Sequence, residues 1–317
     1  MKINDEGDNL RMKTIKLKKC TMLALIVCML ALTSCSNKET NVGETMVPSE
    51  TSTVKPQLEE TNPSQTDEGK KINTKSVDFS KEFNGINGCA VIYNPTEGEY
   101  LIYNKSMSEV EVSPYSTFKI ISTLMGLNNG VIADETSKMK YNGKTYPMDM
   151  WNKNLTLKEA FETSCVWYFR QVIDGVGQKK VKAELEKLNY GNCDISEWSG
   201  NNINSIEDLN GFWLNSSLKI SPMEQVQVLY KIFEGKSQYS QENISILRNV
   251  MLVDKSDNYN IYGKTGTGKD GEGWYTGFAE KNGENLYFAV YLEDSKNKEK
   301  AIGSTARKIT ISILERE

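Results

Sequence analysis

Residues 89–93 (CAVIY) and 99–103 (EYLIY) are short β-branched and aromatic runs on either side of Asn94-Pro-Thr-Glu-Gly98, a turn signal, and they predict a hairpin. The period then lengthens to that of helices. One helix is predicted to begin near Ser116, a second to run over 155–176 and a third over 178–188. The second opens with Thr156-Leu-Lys-Glu159, a capping box, and stops at Gly175 and Gly177. Ser221-Pro-Met-Glu224 starts a further helix with Pro in its first turn and Val226, Val228, Leu229, Ile232 and Phe233 behind it. The period changes again over 259–267, 273–280 and 285–292, three predicted strands joined by Gly-rich turns such as Lys281-Asn-Gly-Glu284. A last amphipathic helix is predicted over 300–314. This order predicts an α+β domain in which an all-helical subdomain, about 116–235, is inserted between the two ends of one antiparallel sheet flanked by N- and C-terminal helices.

The first 75 residues differ sharply from the rest. Lys13, Lys16, Lys18 and Lys19 precede the apolar run 22–32, whose eleven residues are too short to span a bilayer and suit the apolar region of an export signal. The run leads into Leu32-Thr-Ser-Cys35, which resembles the lipobox of bacterial lipoproteins, where the cysteine is lipidated and becomes the new N-terminus. That resemblance implies an exported protein anchored by Cys35 at the outer face of the cytoplasmic membrane. Asp5, Glu6 and Asp8 are unusual ahead of such a run, so Met1 and Met12 both stand as start sites. Residues 36–75 are rich in Thr, Ser, Glu, Asn and Pro and carry too few large apolar side chains to offset the entropy of ordering. The expected organisation is a signal over 1–35, a disordered linker over 36–75 and a folded catalytic domain over 76–317.

Charge and cysteines remove several function classes. The chain has 38 basic and 42 acidic residues, interspersed, and no basic block beside aromatics that would form a nucleic-acid groove. With Cys20 and Cys28 in the signal and Cys35 lipidated, Cys89, Cys165 and Cys193 are left, an odd number without CxxC spacing. A disulfide framework or metal cluster is not expected, and at least one thiol should be free and buried.

Histidine is absent from all 317 residues, so neither a Ser-His-Asp triad nor a His-ligated zinc site can be built. Ser116 is followed one helical turn later by Lys119, which makes the lysine the candidate proton acceptor for a nucleophilic serine. Gly263-Lys-Thr-Gly-Thr-Gly268-Lys269-Asp270 has the spacing of a phosphate-binding loop up to its last position, where Asp stands in place of Ser or Thr. The residues after it are turn and strand where a helix must follow, so a nucleotide site is not expected.

Ser116-x-x-Lys119, Ser164-Cys-Val166, Tyr190-Gly-Asn192 and Lys264-Thr-Gly266, in that order, resemble the active-site motifs of class D (OXA-type) serine β-lactamases. The likeness covers roughly residue 79 to the C-terminus and includes Phe212-Trp-Leu214, Gly273-Trp274 and Arg307 at the opening of the last helix. Penicillin-binding transpeptidases and class A enzymes carry Asn at the third position of the second motif, where this chain has Val166. By this resemblance Ser116 would attack the carbonyl of a penicillin-type β-lactam. Lys119, carboxylated by carbon dioxide to N6-carboxylysine, would be the base in both acylation and deacylation. No diffusible cofactor and no metal are implied. Val166, Phe118 and Trp213 would supply the apolar surround that keeps the Lys119 amine neutral and reactive toward carbon dioxide, and the Trp213 indole would hold the carbamate. The amides of Ser116 and Thr267 would form the oxyanion hole, and Ser164 would relay a proton to the lactam nitrogen. Lys264, Thr265, Gly266 and Arg307 would bind the substrate carboxylate.

Two rivals share these motifs. The extracellular sensor domain of β-lactam receptors carries a run like Ser164-Cys-Val-Trp-Tyr-Phe169 and is acylated once without turnover, but such receptors also need membrane spans and a His-Glu-x-x-His protease region not found in this sequence. A cell-wall transpeptidase is disfavoured by Val166.

Overall fold

The computed structural model describes residues 73–255, 259–281 and 283–316. Cys35, the run 22–32 and most of the tether lie outside the described residues. Among those described, the elements in chain order are β1 (Asn73–Ser76), α1 (Ser80–Phe83), β2 (Gly88–Asn94), β3 (Glu99–Tyr103), α2 (Lys105–Ser108), α3 (Lys119–Asn128) and a small ribbon of β4 (Lys138–Met139) with β5 (Leu155–Thr156). Next come α4 (Leu157–Glu162), α5 (Val166–Val176), α6 (Gln178–Leu188), α7 (Pro222–Phe233) and α8 (Gln241–Met251). The chain returns to the sheet as β6 (Leu252–Lys255), β7 (Asn260–Thr267), β8 (Glu272–Lys281) and β9 (Glu284–Glu293), and ends in α9 (Gly303–Arg316).

Seven strands form one sheet in the order β1-β3-β2-β9-β8-β7-β6, antiparallel throughout except for β1 beside β3. The α+β fold expected from the element order is therefore present, with the β2–β3 hairpin and the β7–β8–β9 meander as its two sequence-distant parts. The period-2 alternation of a strand sorts its side chains between two cores. Ala90, Ile92, Phe288, Val290 and Leu292 face Ala306, Ile309 and Ile313 of α9. Cys89, Val91, Tyr287, Ala289 and Tyr291 join the larger core of the helical region.

Three expectations need correction. β1 begins at Asn73, so ordered structure starts three residues inside the segment 36–75 assigned to the linker. All four residues of β1 are exposed and polar, so no hydrophobic period announces it; it is held by the backbone ladder to β3. The single helix over 155–176 is two, α4 and α5, divided at Ser164. There the Ser164 and Cys165 amides donate to the carbonyls of Phe161 and Ala160, at 3.2 and 2.8 Å, the bond pattern of a Schellman stop with Ser164 at φ 57° in the position glycine usually takes. The nucleophile helix also begins with a tighter 3₁₀ turn, Tyr115–Phe118, before α3 starts at Lys119. All three thiols are free, with Cys89 and Cys165 buried.

Candidate active site

Ser116 and Lys119 meet as the Ser-x-x-Lys spacing requires. The 3₁₀ turn puts the Lys119 ammonium or amine nitrogen 2.9 Å from Ser116 Oγ. Lys119 is completely buried, with its nitrogen 5.5 Å from the centre of the Phe169 ring on α5. Burial, and then the charge of Lys264, hold its amine well below the ordinary lysine range, which favours the uncharged, proton-accepting form beside a hydroxyl.

The helical wall is built by packing of aromatic rings. Phe118, on the nucleophile turn, lies 5.5 Å from Trp213, 5.4 Å from Phe212 and 5.8 Å from Tyr190, centroid to centroid. Trp213 is fully buried and its carbonyl accepts the amide of Tyr115 at 3.0 Å, which ties the Phe212-Trp-Leu214 segment to the residue before the nucleophile. Half-buried Ser164 and Val166 occupy the break and the first residue of α5, the helix that packs on α3 and supplies Phe169. Cys165 between them is buried, its thiol pushed up to about 12, first by loss of solvent, so it stays protonated and serves as packing.

Strand β7 forms the opposite wall. Its alternation points Lys264 toward the helical region, 5 % exposed and 5.7 Å from the centre of the Phe161 ring. Burial pulls the Lys264 ammonium down to about 8. Gly266 lies against the entry to the nucleophile turn: a Cβ there would stand 3.2 Å from Pro114 O and 3.3 Å from Thr117 Cγ2. Trp274 Nε1 donates to Ser113 O at 3.0 Å, a second tie between sheet and turn. Thr265 alternates to the α9 side of the strand, where its Cβ is 2.9 Å from the position of a Cβ on Gly303, and Thr267 Oγ1 accepts the Gly303 amide at 3.0 Å. Arg307 follows one turn later and donates from Nη2 to Val253 O on β6 at 3.2 Å.

Tyr190-Gly-Asn192 has a structural part. Gly191, at φ 52°, passes so close to Lys219 that a Cβ would stand 1.9 Å from its carbonyl, and Asn192 accepts the Lys219 amide and donates to Ser217 O. Two contributors were missed by sequence reasoning. Gln225 donates to Thr117 Oγ1 at 2.9 Å, and only its place on the buried face of α7 hinted at it. Arg170, 9 % exposed within an apolar helix, lies 5.9 Å from the Trp213 ring and 5.0 Å from the Trp198 ring and is paired with Asp174. A cation in that stretch, four residues before an aspartate, was the available signal.

A serine hydroxyl beside a buried lysine amine, with a second buried lysine on the strand that packs against the same turn, is a chemistry suited to covalent acyl transfer beside a cation. The family described as Penicillin binding protein transpeptidase domain matches residues 88–315. Beta-lactamase OXA-19 of Pseudomonas aeruginosa is 31 % identical over 234 residues, 71 % of this chain and 84 % of that protein. The chain belongs to the penicilloyl-serine transferase superfamily, in its class D β-lactamase branch. A solved class D β-lactamase from Bacillus subtilis superposes with a TM-score of 0.68 at 30 % identity, covering 76 % of this chain and 95 % of the other. Regulatory protein BlaR1 of Staphylococcus aureus is 36 % identical over 224 residues, 69 % of this chain but 36 % of that protein, so the chain spans just over a third of the regulatory relative's length. The relatives of this chain thus include proteins named as β-lactamases and one named as a regulatory protein.

Proposed function

We propose that this domain hydrolyses penicillin-type β-lactams through an acyl-enzyme on Ser116. The observation that carries the reading is the fully buried Lys119 nitrogen 2.9 Å from Ser116 Oγ. The Ser116 proton passes to the base at Lys119, a bond forms between Oγ and the lactam carbonyl carbon, the ring C–N bond breaks, and the same proton passes from that base through the Ser164 hydroxyl to the departing nitrogen, which leaves both the base and Ser164 as they began. Water, deprotonated at the same base, then bonds to the ester carbonyl carbon, the Oγ–carbon bond breaks, and the proton returns from the base to Ser116 Oγ. Lys264 holds the substrate carboxylate, with Thr265, Gly266 and Arg307 alongside, while the amides of Ser116 and Thr267 receive the oxyanion. Carbon dioxide joined to the Lys119 nitrogen as a carbamate would supply an anionic oxygen base in this pocket. The residues suit that group: burial favours the neutral amine, as attack on carbon dioxide requires, and Lys264 would serve as counter-charge.

Sequence similarity to BlaR1 supports a second reading, a sensor acylated once and kept so. Mixing the purified chain with a chromogenic β-lactam at fixed bicarbonate separates the two. Hydrolysis gives many turnovers that fall when bicarbonate is stripped and return when it is restored. One stoichiometric burst would replace hydrolysis with sensing, and indifference to bicarbonate would remove the carbamate. The lipid anchor at Cys35 and the location outside the cytoplasmic membrane belong to this proposal. Cys35→Ala should move the protein from the membrane fraction to the medium; unchanged fractionation would sink the anchor.

A further inference from the structure

Tyr115, immediately before Ser116, has φ 49°, a left-handed conformation that is strained for a bulky residue and persists only where surroundings enforce it. Two contacts enforce it. Its amide donates to Trp213 O, and its ring, 7 % exposed, runs beneath the β7–β8 turn. At Gly268 a Cβ would stand 2.6 Å from the Tyr115 hydroxyl and 2.3 Å from Glu272 Oε2, so phenol and carboxylate converge on a point that only glycine leaves open. Glu272 is itself fixed: Oε2 accepts the Asp270 amide at 2.9 Å, its carbonyl accepts the Gly268 amide at 2.8 Å, and Asp270 is paired with Lys298 at 2.7 Å. Burial, and then the Glu272 carboxylate, raise the Tyr115 phenol above its ordinary range, so it remains a hydroxyl able to donate.

The turn that Glu272 and Gly268 close carries Thr267 at its start, and Tyr115 is bonded to Ser116. We infer that Glu272 is a positioning residue: through the Tyr115 hydroxyl it fixes the distance between the Ser116 and Thr267 amides that receive the oxyanion. This inference rests on the acyl-enzyme reading. Oxyanion donors act through position, and removing one donor outright costs about 10²–10³ in rate. Loosening the pair should cost about tenfold, because both donors remain.

The test uses the purified chain with Tyr115→Phe, Glu272→Ala and the double variant, together with Glu272→Gln, which keeps one acceptor oxygen. Readouts are the acylation rate with a chromogenic β-lactam, the infrared stretch of the acyl-enzyme ester carbonyl, and Tm. Expected are a roughly tenfold slower acylation in each single variant and no further loss in the double. The carbonyl band should move to higher wavenumber as polarisation by the two amides weakens, and Glu272→Gln should recover much of the rate. An unchanged carbonyl band, additive losses, or a drop in Tm without slower acylation would overturn the positioning role. Should Glu272→Ala not fold, Tyr115→Phe, which deletes one oxygen atom, carries the test by itself. Failure of wild-type protein to acylate at all would instead sink the underlying reading, so the two failures are distinct.

Discussion

Lys119 and Lys264 are both buried where β7 packs against the Ser116 turn, yet the walls that hold them follow different rules. The sheet wall is regular: β7 pairs with β8 from Asn260 to Thr267, none of its residues is left-handed, and plain alternation delivers Lys264 to the helical side. The helical wall is irregular at both of its chemical positions, with φ 49° just before Ser116 and 57° at Ser164. In the proposed mechanism, strain is confined to the side that would present the nucleophile and the proton relay, while the side that would bind charge carries none. Protonation divides in the same way. Lys119 is held far below its ordinary range by burial and by Lys264, whereas Lys264 is pulled down only to about 8. Burial thus biases one residue type toward the uncharged form on one wall, while on the other it leaves a lysine that is still mostly a cation at neutral pH.

The largest break in this contrast comes from Lys119→Met, which keeps side-chain bulk and removes the base. Turnover of a chromogenic β-lactam should fall by about 10³-fold, the usual size of a general-base contribution. Stability should rise, with Tm up by about 2–4 °C, because a buried amine is exchanged for an apolar chain. Retained turnover would assign the base elsewhere, and a lower Tm would show that the amine is not a burden on the fold.

Lys264 sharpens the contrast through pH. Its ammonium is lost as pH rises through about 8, so KM for an anionic substrate should climb about tenfold between pH 7 and 9, and Lys264→Met should be weak and flat over the same range. Its folded value lies below the unfolded value of about 10.4, so between those values the unfolded chain binds more protons and folding stability should increase with pH. A KM independent of pH in the wild type would mean that carboxylate binding does not depend on Lys264.

What the sequence disclosed tracks the same division. The strands that carry Lys264 and Trp274 were legible because their alternation and turns are local signals, and Thr156 and Ser221 announced their helices through capping boxes that are present. The four motif lysines and serines were legible as an ordered set. The left-handed residues were not: Tyr115 and Ser164 carry no glycine to mark a break, and the helical period runs straight through Ser164. Glu272 was also hidden, since it meets Tyr115 from far away in the chain, and Arg170 showed only its local pairing with Asp174 and not its place beside Trp198 and Trp213. β1 escaped notice because its polar side chains are all exposed.

Ser164 offers the finest test of where strain is stored. Asn189 ends α6 with the same Schellman bonds, its amide and that of Tyr190 reaching Glu186 O and Leu185 O at 3.1 and 3.0 Å, but asparagine tolerates φ 54° better than serine does. Ser164→Ala and Ser164→Gly both delete the hydroxyl, so they should share the same loss of turnover. They differ by a single Cβ, whose cost at positive φ should leave the glycine variant more stable than the alanine variant by about 1 kcal/mol in urea unfolding. Equal stabilities would mean that the break between α4 and α5 relaxes once the hydroxyl is gone. In that case the left-handed conformation is imposed by the hydroxyl's own contacts and not by the helix stop.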